Sequence, residues 1–75
     1  MIRLDYSPSG DDRTGRPVGY VVARCECGYW SAMTGTLPRL EAEREALERA
    51  AIHERLSHPG RDDAARRLRR RLAQR

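Results

Sequence analysis

The chain has no phenylalanine and no lysine, a single tryptophan, and only two cysteines and two histidines in 75 residues. Each scarcity excludes something. A hydrophobic content of 39% without phenylalanine leaves material for only a small core. A chain this short buries too little apolar area to outweigh its conformational entropy comfortably. Such scaffolds need a staple: a metal, disulfides or a partner chain. One cysteine pair cannot build the multi-bridge framework of a small secreted domain. No apolar run reaches the length of a signal-peptide core or a membrane span, the longest being the strand-sized Val18 to Ala23. The expectation is one domain at most, cytoplasmic and without a membrane role, in a reducing compartment where thiolates can hold metal.

The net charge of +4 is unevenly placed. Residues 1–60 hold eight arginines against nine acids, and residues 61–75 hold seven arginines against two aspartates. The whole basic excess therefore sits in the last fifteen residues. Arginine offers phosphate a bidentate fork that lysine lacks, although a uniform preference for arginine also follows from a GC-rich genome.

Along the chain, Ile2 to Tyr6 alternates apolar and charged residues and suits a short edge strand, and Ser7 to Pro17 reads as a loop. The alternative is that the first fifteen residues are disordered. Val18 to Arg24 is the strongest strand signal. Tyr29 to Thr34 is expected to return beside it, with Cys25-Glu26-Cys27-Gly28 at the hairpin tip and Gly28 supplying a positive φ. Thr36 and Pro38 are helix-start residues. From Arg39 to Ser57 there is neither glycine nor proline, and Leu40, Leu47 and Ala51 fall on one face with Ile52 and Leu56 on an adjoining one. Glu45 and Arg49 form a favourable i,i+4 pair. His58-Pro59-Gly60 ends the helix, because a residue before proline is pushed from helical geometry. Asp62-Asp63 resembles a second helix start, followed by an apolar stripe of Ala65, Leu68 and Leu72. The expected fold is α+β: a zinc-stapled β-hairpin and long helix over residues 18–58, preceded by a loop or edge strand in 1–17 and followed by a basic helix or tail in 59–75.

Cys25, Cys27, His53 and His58 are the full set of thiols and imidazoles in the chain, and they match the four-ligand complement of a structural zinc. Path lengths agree. The returning strand travels roughly 23 Å away from the turn at strand rise, and the helix from Pro38 to His53 returns roughly 22 Å. Residues five apart on a regular helix point about 140° apart, so both histidines can face one metal only if the helix distorts or ends before His58. Other readings stand beside this one: a buried or redox cysteine pair, and surface histidines at a helix C-terminus.

The pattern Cys25-x-Cys27-Gly28…His53-x4-His58 resembles a two-Cys two-His zinc finger of the lengthened sort found in small bacterial and phage-borne proteins. The Cys-x-Cys spacing is one residue shorter than usual. The resemblance implies one structural Zn2+ on a ββα fold and, often, nucleic-acid binding; the expectation is DNA, with a regulatory role in transcription.

The residues themselves point to phosphate contact through Arg66, Arg67, Arg69, Arg70 and Arg71, assisted by Arg16, Arg24 and Arg39. Against them stands the reading of a solvated, poorly ordered terminus. The N-terminal turns of the long helix carry Glu41, Glu43 and Glu45, which argues against simple base reading by that helix. The other function class is a protein-interaction or self-association module using Leu47, Ile52 or Leu56, or the aromatic residues Tyr20, Tyr29 and Trp30. No catalytic triad and no phosphate-cradling glycine loop is present, so neither an enzyme nor a small-molecule substrate is expected.

Overall fold

The computed structural model describes residues 1–73 of the chain. It is an α+β fold: a three-stranded antiparallel sheet in the order β1-β2-β3, followed by two helices. Strand β1 runs Ile2–Asp11, β2 Pro17–Cys25 and β3 Ser31–Met33; helix α1 runs Arg39–Ser57 and α2 Asp63–Ala73. Gln74 and Arg75, at the end of the expected basic segment, lie outside the described residues.

β1 is longer than its alternating pattern suggests. It pairs with β2 from Ile2↔Cys25 to Asp11↔Pro17, with a register shift between Pro8 and Gly10. A composition of Ser, Pro and Gly reads as loop, but a bulge on an edge strand accommodates a proline and a positive-φ glycine without ending the ladder. Gly10 takes φ 113° there. The true turn is only Asp12 to Arg16. Asp12 Oδ1 accepts from the Thr14 hydroxyl at 2.7 Å, the Thr14 N–H at 2.8 Å and the Arg16 N–H at 3.0 Å. The Thr14 hydroxyl, followed by the two N–H groups, holds this carboxyl below its usual range.

β3 is shorter than expected. Pairing is confined to Val22↔Met33, Ala23↔Ala32 and Arg24↔Ser31, and Tyr29 stands out in solvent, 96% exposed. The sequence between Cys25 and Trp30 is given over to the turn.

Alternation along β1 and β2 sends Ile2, Val21, Ala23 and Cys25 inward, where α1 covers them with Ala42, Ala46, Leu47 and Ala50. This is not the face that the leucines of α1 suggested. Leu40, Ile52 and Leu56 are 65%, 50% and 75% exposed, and only Leu47 of the larger apolar residues is in the core. Alanine on the contact stripe lets the helix axis approach the sheet closely, and a leucine at those positions would hold it off. Tyr20 and Tyr29 are likewise outside the core. At Gly19 the backbone bonds to Leu37 in both directions, at 2.9 and 2.8 Å. A Cβ there would run into the backbone carbonyl of Ser7 on the neighbouring strand, which cannot move aside as a side chain could, so this position needs glycine.

Helix α2 is fastened to the rest by side chains more than by its own apolar stripe. Ala64 is buried and Leu68 packs on the core edge, while Leu72 is half exposed. The buried Glu54 of α1 accepts the Ala64 N–H at 2.8 Å, capping α2 from outside. Its second oxygen, Oε2, is buried without a partner among the described residues. Arg67 donates to the Ile2 carbonyl at 2.6 Å. Arg71 meets Glu43 as a fork, at 3.3 and 3.0 Å.

Leu47→Ala is expected to destabilise the fold by about 2–5 kcal/mol, the range for truncating a fully buried leucine. Urea unfolding of the variant checks it, and a loss under about 1 kcal/mol would mean that the α1–sheet core is not the main cooperative unit.

Candidate metal centre

The sheet delivers two thiols to one end of the molecule. Cys25 is the last residue of β2, its side chain inward and buried, and the Cys25 N–H donates to the Trp30 carbonyl at 3.2 Å. The Gly28 N–H donates back to the Cys25 carbonyl at 3.0 Å, with Gly28 at φ 79°. That tight turn swings Cys27 back toward the same side. The Cys27 thiol is held below its usual range, chiefly by the Tyr29 N–H, with Cys25 and the Trp30 N–H assisting against desolvation. A lowered value favours the thiolate, the form that ligates metal.

The long helix delivers the two imidazoles. α1 ends at Ser57, and His58 is its C-cap, at φ −133° and ψ 65°, with its N–H still donating to the Glu54 carbonyl at 2.8 Å. Leaving helical geometry at that residue turns the His58 ring back across the axis toward His53. The two ring centroids are 5.0 Å apart with planes at 82°.

The four side chains converge. Cys25 Sγ lies 3.5 Å from His58 Nε2 and Cys27 Sγ 3.7 Å from His53 Nε2. All four ligand atoms fall within 4.8 Å of one another. Ideal zinc bond lengths in a tetrahedron put sulfur and nitrogen about 3.6 Å apart. The donor set therefore fits one tetrahedral metal ion, and the four residues are positioned to bind it.

Comparison with known proteins finds no matching family model, and no match among curated proteins or solved structures. The geometry alone carries the description: a site compatible with two-Cys two-His metal binding on a small ββα-like fold.

Three supporting side chains were not singled out from the sequence in these roles. Trp30 stacks on His53, centroids 4.7 Å apart and planes within 9°, fixing one ligand ring and covering it from solvent. Glu26, between the two cysteines, pairs with Arg61 at 3.0 Å and so ties the thiol turn to the chain just after His58. Glu54 ties the last turn of α1 to the first turn of α2. Only the adjacency of Trp30 to the cysteine turn was a usable signal, since stacking between residues 23 apart has no local pattern.

The arginines proposed from sequence fall into distinct groups. Arg16 is exposed at the β1–β2 turn and Arg24 on the outer face of β2. Arg39 lies over the Tyr6 ring, 5.0 Å from its centroid. Arg66 pairs with Asp62 at 3.1 Å, and Arg69 and Arg70 are exposed. Arg67 and Arg71 turn inward onto Ile2 and Glu43, which corrects the picture of a uniformly solvated basic segment.

Adding zinc to apo protein is expected to change Trp30 fluorescence with a one-to-one endpoint, because the indole lies on a ligand ring. Cys25→Ser should weaken binding by at least tenfold. Protons compete with metal for all four donors, so acidification should release it. The sign for Cys27 is the same: its folded value is depressed, so its contribution is present at high pH and fades as pH falls through that value. An endpoint at two chains per ion would contradict a site built within one chain.

Proposed function

We propose that the chain is a zinc-stapled module that binds nucleic acid through its basic surface. The convergence of two thiols and two imidazoles at tetrahedral spacing carries the zinc part. Four protein ligands complete the coordination of zinc and leave no position for a reactive water, so the role of the ion is structural. The nucleic-acid part is supported by the exposed side of α2. Arg66, Arg69 and Arg70 occupy i, i+3 and i+4 positions on one solvent-facing ridge, while Arg67 and Arg71 hold the helix in place behind them. A rigidly seated ridge of guanidinium groups loses less entropy on meeting phosphate than a loose tail does.

A second reading is a protein-interaction module. It is favoured by Tyr29, Ile52 and Leu56, which are large, apolar and at least half exposed. Leu47, named for that role from sequence, is buried and does not take part.

Zinc-loaded protein is expected to bind short duplex DNA with a log–log salt slope that drops by about 2–3 when Arg66, Arg69 and Arg70 become alanine, at about 0.9 per lost phosphate contact. The thermal midpoint should barely move in that variant. Arg67→Ala should instead lower the thermal midpoint, costing about 1 kcal/mol of stability through the lost bond to the Ile2 carbonyl. If wild-type protein shows no binding to duplex or single-stranded DNA at low salt, the interaction-module reading replaces this one.

A further inference from the structure

A cleft of about 600 Å³ opens beside the metal centre, where the N-terminal end of β1 meets the C-terminal end of β2 and the flank of α2. Three guanidinium groups line it, one from each element: Arg3, Arg24 and Arg67. Met1 and Leu4 supply accessible apolar lining.

The register places Arg3 directly opposite Arg24. Facing cross-strand residues have Cβ atoms about 5 Å apart, and like charges in that arrangement repel. The sheet does little to relieve them. Arg3 reaches Asp5 only at 3.8 Å through side chains that are 80% and 50% exposed. Arg24 has no ion pair among the described residues. Arg67 spends Nη1 on the Ile2 carbonyl and Asp63, which fixes the guanidinium at the cleft and leaves further donors on the same group. The one acid on the lining, Glu26, is 3.0 Å from Arg61.

We propose that this cleft binds a phosphate group, with Arg24 and Arg3 as the primary donors and Arg67 as a preset third. A tetrahedral dianion or phosphodiester between Arg3 and Arg24 turns their repulsion into two charge-assisted contacts. The apolar lining suits the sugar or base attached to that phosphate better than it suits inorganic phosphate alone. The same chemistry is offered by a nucleic-acid backbone and by a free nucleotide. The backbone version rests on the nucleic-acid reading above; the nucleotide version does not. Arg24 immediately precedes Cys25, so a metal bound at that cysteine would also fix the strand end that presents Arg24.

The test uses the full zinc-loaded chain and the Arg3→Gln/Arg24→Gln variant, with Arg13→Gln in the β1–β2 turn as control. Duplex DNA binding is measured by anisotropy over a salt series. Adenosine 5′-monophosphate is titrated separately while arginine Nε resonances are followed by NMR. Both substituted side chains are exposed, and circular dichroism confirms folding. The expected result is a roughly tenfold loss of DNA affinity in the double variant, a salt slope flatter by about 0.9, and little change for Arg13→Gln. If wild type binds DNA and the double variant binds equally with the same slope, the cleft proposal is overturned and the nucleic-acid reading survives. If wild type ignores DNA but the nucleotide shifts the Arg24 resonance, and the variant abolishes saturation, the cleft is a nucleotide phosphate site and the nucleic-acid reading fails. If neither ligand binds, both fall.

Discussion

The structure depends on the meeting of a strand end and a helix end at one point. Cys25 ends β2 and Cys27 lies in the turn after it, while His53 stands near the C-terminal end of α1 and His58 caps that helix. Their approach to within 4.8 Å closes the layer of α1 over the sheet at the end where the apolar core runs out. Little else is available to do so. Five of the nine residues in the buried cluster are alanine, and each alanine methyl contributes only about 0.8 kcal/mol. A single core in a domain of this size supplies roughly 3–5 kcal/mol net. A structural zinc supplies roughly 10 kcal/mol or more. On the zinc reading, the metal is therefore the larger contribution, and the small alanine stripe serves mainly to set the helix at the right distance from the sheet.

The same economy explains α2. With one fully buried side chain, Ala64, it has too small an apolar face to dock by burial alone. Directed contacts replace area: Glu54 caps its first turn, Arg67 reaches the Ile2 carbonyl and Arg71 forks onto Glu43. These contacts sort the arginines into those that build the fold and those left for solvent or a ligand. A basic segment of even composition thus becomes a helix with an inner clasping side and an outer charged side.

The hairpin side of the molecule shows a comparable division. Inward positions on β2 are the small or β-branched Val21, Ala23 and Cys25, as a close helix demands, and outward positions on β1 and β2 hold Arg3, Asp5, Tyr20 and Arg24. Among the described residues no helix covers that outer face. Neither helix is long and apolar enough to cross a membrane. What the surface offers is guanidinium-rich relief next to a metal centre, with Trp30 stacked over one ligand ring on another side.

The amino-acid order by itself determined the ligand set, the long helix from Arg39 to Ser57 and its stop at His58-Pro59. Those follow from residue counts, from an interval free of glycine and proline, and from local proline sterics, none of which needs a distant neighbour. The outward and return path lengths placed the imidazoles near the thiols for the same reason, since rise per residue is a local property. Tertiary structure decided the rest. Alanine rather than leucine lines α1 because the distance between helix and sheet is set by both layers together. β1 continues through Pro8 and Gly10 because β2 offers a partner that tolerates a bulge. Arg67 and Arg71 turn inward while Arg69 and Arg70 do not, because only the packed position of α2 brings Ile2 and Glu43 within reach of one side of the helix.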